Sequence, residues 1–271
     1  MTDKEQLIDH LCVNQIQSYL NDGIGPVKIQ IEQCVSSTNE LVKNAAVDGE
    51  PEGYLLVAEE QTAGKGRLGR KFCSPMGTGI YMSMLLRPKL SVEDSLFITT
   101  AAAVAVYEAI LQVTGIHTSI KWVNDIFLNG KKICGILTEG AFDMKSKGLS
   151  YAVLGIGINV GTKTDLFDEE VKKVADSLFH TEYDSNLRNK LIAQVWNRFF
   201  YYYQNLMDKK YLNVYREQSC LIGKEITYQK EQKNVIATVL DIDECARLVV
   251  QSNDGKTEKL MSGEVSVRLK N

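Results

Sequence analysis

Histidine is nearly absent from this chain: three imidazoles, His10, His117 and His180, occur in 271 residues and lie far apart in sequence. A His-based zinc site or a Ser/His/Asp triad has little to draw on, so the chemistry must rest on Lys, Arg, Asp and Asn. The six cysteines, Cys12, Cys34, Cys73, Cys134, Cys220 and Cys245, never form a C-x-x-C pair and read as buried, reduced thiols. A dominant charge sign is also missing. The net charge of −3 supplies no broad basic footprint, which disfavours nucleic acid as a partner. No apolar stretch approaches the about 20 residues of a membrane span, and the polar start Met1-Thr2-Asp3-Lys4-Glu5-Gln6 lacks the order of a signal peptide. No membrane association is expected, and the natural inference is a cytoplasmic protein. Nothing before residue 25 offers more than one helix, too little for an N-terminal DNA-binding module, and no internal repeat is visible.

Against this background one segment stands out: Gly64-Lys65-Gly66-Arg67-Leu68-Gly69-Arg70, with Lys71 behind it. Glycines let backbone N–H groups turn inward and let a ligand approach closely, and the interleaved cations add charge that backbone alone cannot supply. Four cations in eight residues repel one another unless an anion meets them. The segment also spells G-x-G-x-x-G, but a dinucleotide fingerprint needs a helix to follow, and here Phe72-Cys73-Ser74-Pro75-Met76-Gly77 follows. A Walker loop has no match.

The composition, 44% hydrophobic and 24% charged, suits one large domain and a small one. Periodicity predicts a helix over Glu5–Leu20, a strand over Val27–Glu32, a helix from Ser37 to about Val47, a strand over Tyr54–Ala58 and another over Ile80–Leu86. Ser91, with Asp94 three residues on, caps an alanine-rich helix to about Val113. Asn129-Gly130 signals a two-residue hairpin turn, pairing Leu128 with Lys131 and Phe127 with Lys132. That register places Asp125 and Lys132 on one face, an acid and a base together. Strands Lys132–Gly140 and Tyr151–Asn159 and a helix Asn186–Leu206 follow. From about Cys220 the texture changes to short strands at Glu225–Tyr228, Val235–Leu240, Leu248–Gln251 and Val265–Leu269. The expected fold is α+β, with domains 1–218 and 219–271.

Several motifs, in order, resemble the biotin protein ligase family: Ser37-Thr38-Asn39, Gln61 with the Gly64–Arg70 loop, Lys121-Trp122-Val123-Asn124-Asp125, Lys132-Ile133-Cys134-Gly135-Ile136-Leu137, Gly155-Ile156-Gly157-Ile158-Asn159, and Gly263-Glu264-Val265-Ser266-Val267-Arg268 near the end. The resemblance implies a class II synthetase-like mixed sheet with flanking helices, then a small SH3-like β-barrel. It implies an enzyme that activates biotin with ATP and Mg²⁺ as biotinyl-5′-AMP and transfers it to one lysine of a biotin carboxyl carrier protein domain. By the same resemblance Lys132, Arg67 and Asp125 are catalytic. Biotin would meet Ser37, Thr38, Asn39, Gln61, Gly64, Lys65, Gly66, Arg67, Lys132, Gly135 and Gly157. ATP and the adenylate would meet Lys65, Arg67, Arg70, Lys121, Trp122, Asn124, Lys132 and Asn159, with Mg²⁺ near Asn124 and Asp125 but not held in a protein cage. Either Phe167 or Phe179 would stack on adenine. A homodimer through a sheet edge is implied, and no DNA partner.

Two residues depart from the family pattern: Lys65 stands where arginine is usual, and Val123 where proline is common. A lysine offers a point charge where arginine offers a planar fork, so the adenylate is expected to be held less tightly. Structural readings exist beside the functional ones. Ser37-Thr38-Asn39 is also a helix cap, Gly155–Asn159 a buried strand, Lys132 a solvated strand-edge lysine, and Glu264 with Arg268 an ion pair between strands or domains. The cluster Phe199-Phe200-Tyr201-Tyr202-Tyr203 reads as helix packing. The rival functions are a lipoate–protein ligase, with the same fold and adenylate logic, and a non-catalytic nucleotide- or nucleic-acid-binding module.

Overall fold

A computed structural model describes residues 9–24, 27–143, 148–230, 233–261 and 268–269. The N-terminal helix is shorter than its periodicity predicts: α1 spans Val13–Ser18, and residues 1–8 fall outside the described set. The alternation of Lys28–Val35 makes β1 a half-buried edge strand, and helix α2 (Thr38–Val47) carries the chain across to β2 (Tyr54–Gln61), which runs parallel to β1. A helical crossover is what a parallel pair requires. Next come β3 (Gly79–Leu86), helix α3 (Leu96–Thr114), β4 (Ser119–Lys121), β5 (Asp125–Leu128), β6 (Lys131–Asp143), β7 (Gly148–Asn159), the short α4 (Glu169–Lys172), α5 (Leu187–Tyr203) and α6 (Tyr211–Glu217). The seven strands form one mixed sheet in the order β1-β2-β3-β7-β6-β5-β4.

Helices cover both faces. On one, Val42 and Ala46 of α2 pack on Leu56, Leu85 and Val153. On the other, α3 and α5 bury the larger core. Ser91 and Asp94 bond reciprocally, but at a 3-10 turn over Glu93–Ser95 and not at the helix start: α3 begins at Leu96, its N-cap Ser95 makes no side-chain capping bond, and it ends at Gly115, left-handed at φ 71°, the residue type that accepts this cap most cheaply. The Glu93–Thr114 segment is, against the sequence expectation, long and apolar enough to cross a membrane. Its small residues are buried on the sheet and α5, as in the core helix of a globular domain.

The cysteine expectation also needs correcting. All six are free thiols, but only Cys134 is buried; Cys34 and Cys245 are exposed, because β1 is an edge strand and Cys245 lies on a turn. A further feature left no local signal: Arg188 of α5, fully buried, pairs with Glu59 at 2.6 Å and Asp9 at 3.0 Å, tying the N-terminal segment to β2.

The C-terminal unit is a five-stranded antiparallel sheet, β11-β10-β9-β8-β12, built from β8 (Glu225–Lys230), β9 (Lys233–Ile242), β10 (Leu248–Ser252), β11 (Thr257–Leu260) and β12 (Arg268–Leu269). Strand β11 has no counterpart among the strands expected from sequence; it follows the Asn253-Asp254-Gly255 turn, where Gly255 takes φ +83°. Glu264 and most of the terminal signature lie outside the described residues, and of its strand only Arg268–Leu269 is described. This sheet shares the main core, through Ile226, Val239, Ile242 and Leu248. Trp122 donates its indole N–H to Ala246 O at 2.8 Å across the junction. Trp122→Phe removes that donor and leaves a buried carbonyl, so a loss of about 1–3 kcal/mol is expected in denaturant unfolding. An unchanged midpoint would show the junction bond to be immaterial.

Candidate active site

The Asn129-Gly130 turn adopts the expected positive φ at both positions, 50° and 79°, and β5 and β6 pair Leu128 with Lys131 and Phe127 with Lys132. Beyond that point a β-bulge intervenes, so Asp125 stands opposite Gly135, where plain counting would put Cys134. The consequence is chemical. Lys132 reaches across the bare Gly135 position, where an added Cβ would lie 3.0 Å from Nζ, and places Nζ 2.6 Å from Asp125 Oδ1. This is a charge contact, since Oδ1 has no aligned hydrogen bond. The Lys132 backbone is clasped by the following loop, its N–H donating to Val174 O and its carbonyl accepting from Asp176 N.

The glycine–cation segment closes on itself. Phe72 N donates to Gly64 O at 2.9 Å, Gly66 N to Arg70 O at 2.7 Å, and the tip turns through left-handed Leu68 and Gly69. Arg67 points inward and donates to Asn124 Oδ1 at 3.0 Å, while Asn124 Nδ2 donates to Ile136 O at 2.8 Å. Burial lowers the Arg67 pKa, with Asp125 opposing the shift; the guanidinium stays charged at any physiological pH.

Beneath the loop, Gln61 Oε1 accepts from the Thr38 N–H at 2.9 Å and from its hydroxyl at 3.1 Å, and Gln61 Nε2 donates to Ser74. Asn39 lies flat over Gly155, whose added Cβ would sit 2.1 Å from Asn39 Oδ1. Its amide spans the sheet, donating to Glu139 at 2.8 Å and accepting from Ser83 at 2.6 Å. Asn39 is thus a strut whose polar atoms are committed to protein partners. Ser37 stands at the N-cap position of α2, yet its hydroxyl makes no capping bond.

These elements enclose one cavity of about 40 Å³. Of the residues singled out from sequence, Ser37, Thr38, Asn39, Gln61, Lys65, Gly66, Arg67, Asn124, Lys132, Gly135 and Gly157 line it. Gly64 lies under the loop, Arg70 is exposed at its outer edge, and Asp125 touches the cavity through Lys132. None of these last three is part of its lining, and three more stand farther from it. Trp122 faces the C-terminal sheet. Lys121 is half-buried with its ammonium over the Phe127 ring, its pKa lowered by desolvation. Asn159 donates to Asp176 O, leaving Oδ1 buried without a partner. Phe179 packs on Tyr183, and Phe167 is buried. Asn124 and Asp125 each face a cation, so this donor pair does not fit a protein-held Mg²⁺. Among the described residues no group of three or more His, Cys, Asp or Glu gathers to hold a metal. The peptide bond between Trp122 and Val123 is cis.

The cavity also has walls to which the sequence motifs assign no role: Phe72 and Met82, outside the motifs, and Ile136, Leu137, Gly155 and Ile156 within them. The Phe72 ring covers Gly157, whose added Cβ would lie 2.5 Å from it, and reaches Gly135. Two-residue alternation could have found Gly155 from Gly157 and Leu137 from Gly135; Phe72 carried no such signal.

The profile of the Biotin/lipoate A/B protein ligase family matches residues 31–159, and that of the Biotin protein ligase C terminal domain matches residues 221–268. The bifunctional ligase/repressor BirA of Bacillus spizizenii is 33% identical over 239 residues, 87% of this chain and 73% of that protein. The biotin–[acetyl-CoA-carboxylase] ligase of Mycobacterium tuberculosis is 26% identical over 98% of both chains. The biotin protein ligase of Aquifex aeolicus in complex with biotin and ATP superposes with a TM-score of 0.75 at 27% identity, covering 90% of this chain and 99% of that one. Both the sheet that builds the cavity and the small sheet docked on it are therefore shared with known ligases, and the chain belongs to the biotin protein ligase family.

Proposed function

We propose that this protein activates biotin with ATP as biotinyl-5′-AMP and transfers the biotinyl group to a lysine of a biotin carboxyl carrier domain. The observation that carries this reading is the convergence of Lys132 and Arg67 on a cavity whose far end is lined by Thr38 and Gln61. The cationic end suits a carboxylate meeting a phosphate, and the neutral end suits a ureido ring, which needs paired donors and acceptors once buried.

In the first step a biotin carboxylate oxygen attacks the α-phosphorus of ATP, and pyrophosphate leaves. Two anions must approach, and Lys132 and Arg67, already held by Asp125 and Asn124, lower that barrier without reorganisation. Lys65 and Arg70 extend the cationic surface toward the adenylate, and Mg²⁺ belongs with the ATP phosphates. In the second step the carrier amine attacks the mixed anhydride carbonyl, AMP leaves, and Asp125 is the base that orients the amine and accepts its proton. Lys121 and Asn159 support the site from behind: Lys121 neighbours Asp125 in the β4–β5 pairing, and Asn159 anchors the loop at Asp176. The same reading takes residues 1–218 as catalytic and 219–271 as the accessory unit, in a cytoplasmic protein that forms a homodimer and has no DNA partner.

The test is exchange of labelled pyrophosphate into ATP with biotin, lipoate or octanoate. Exchange with biotin alone is expected. Exchange with lipoate would move the activity to the lipoate branch of the family, and none with any acid would leave a nucleotide-binding module.

A further inference from the structure

We propose that Glu40, a residue of α2 outside every motif described above, is a positioning residue that clamps the cation loop over the cavity through Lys65. The inference rests on the ligase reading.

The loop's backbone bonds between Phe72 and Gly64, and between Gly66 and Arg70, close it upon itself without tying Lys65–Arg70 to the body of the protein. Among the described residues, two side chains do that by polar contact. Arg67 reaches Asn124 on the β5 side, and Lys65 reaches Glu40 on the α2 side. The loop is therefore pinned at two points on opposite sides of the cavity mouth, and Glu40 is the outer one. Its carboxylate is not free-standing. Glu40 also takes Lys43 at 3.1 Å, Lys43 takes Glu139 of β6 at 2.6 Å, and Glu139 accepts from Asn39, the strut beneath the cavity. The two lysines, Lys65 foremost, hold the Glu40 carboxyl below the usual carboxylate range.

Side-chain exposures of 44% for Lys65 and 39% for Glu40 make the pair weak as a contributor to global stability. Its effect falls on the loop, because opening a surface loop costs far less than unfolding and a weak clamp is enough to bias it. The lysine at position 65 makes this dependence sharper. A point charge on a flexible stem is oriented by whatever anion sits beside it, whereas a guanidinium fork carries its own geometry. Glu40 thus sets where the Lys65 backbone and ammonium stand before substrate arrives.

The experiment compares Glu40→Gln with wild type in biotin-dependent pyrophosphate exchange and in release of preformed biotinyl-5′-AMP. Glu50→Gln, which removes a carboxylate from the distant Lys28 pair, is the charge control. Glu40→Gln is expected to raise the KM for biotin and the rate of adenylate release each by about tenfold while kcat changes less than about twofold, the pattern of lost positioning. Its thermal midpoint should match that of Glu50→Gln. In a Lys65→Met background the added Glu40→Gln should change nothing, since the two act as one unit. Unchanged KM and release in Glu40→Gln, tighter retention of the adenylate, or a full effect in the Lys65→Met background would each overturn the proposal. Absence of biotin-dependent exchange in the wild type would instead overturn the ligase reading beneath it. Lys65→Arg is a separate prediction: slower adenylate release than wild type, with equal rates rejecting the view that the fork closes the site more tightly.

Discussion

Biotin-dependent pyrophosphate exchange is expected to fall by about 10³-fold or more in Lys132→Ala, with the folded state intact. Lys132 lies against Gly135, and the other two cations that line the cavity among the described residues are committed elsewhere: Arg67 is held by Asn124, and Lys65 by Glu40. Removal leaves Asp125 without its 2.6 Å partner, but the pair is partly exposed, so solvent and the neighbouring Lys121 compensate in stability. The loss should appear in kcat, because in the mechanism proposed above the charge acts on the approach of carboxylate to phosphate. Lys132→Arg is expected to recover little. The amine already lies where an added Cβ on Gly135 would be 3.0 Å away, and a broader guanidinium has no room to lie flat there. Exchange within about tenfold of wild type in Lys132→Ala, with normal circular dichroism, would remove Lys132 from the chemistry.

The acid–base face that carries this prediction was legible because Asn129-Gly130 fixes a hairpin register without reference to anything distant. The bulge between Ile126 and Phe127 was not, since it is set by how β6 must meet both β5 and β7, and sequence alternation alone does not register one extra residue. The same division runs through the molecule. Helix α2 and strands β2, β3 and β7 follow local periodicity and were read nearly to their ends. The Arg188–Glu59–Asp9 network links residues up to 179 apart, and Trp122 meets Ala246 across 124, so neither leaves a local pattern. Trp122 shows the cost of reading a motif as one unit: Lys121-Trp122-Val123-Asn124-Asp125 sends Asn124 into the cavity and Trp122 to the opposite unit. Exposure of Cys34 and Cys245 escaped because the burial of a thiol is decided by what packs over its element, an open edge strand for Cys34 and a turn for Cys245, and not by residue type alone.

The loop glycines have different physical reasons for being glycine, and those reasons predict unequal outcomes. An added Cβ at Gly64 would lie 2.4 Å from the Phe72 carbonyl oxygen, 2.7 Å from Ser74 Oγ and 3.2 Å from Gln61 Nε2. The first contact is backbone, so Gly64→Ala must pull Gly64 away from Phe72 and break the bond that closes the loop. It also disturbs the Ser74–Gln61–Thr38 chain that shapes the neutral end of the cavity. At Gly69 nothing lies within 4 Å, and only the φ of +73° resists a side chain, a cost of about 1 kcal/mol. Gly64→Ala is therefore expected to lower kcat/KM for biotin by about 10²-fold. Gly69→Ala should stay within about tenfold. Both should fold, since loop residues contribute little to the core that holds the sheet. Measuring the two side by side under saturating ATP decides the matter: equal effects would mean that backbone flexibility, not the close packing at Gly64, is what the loop requires.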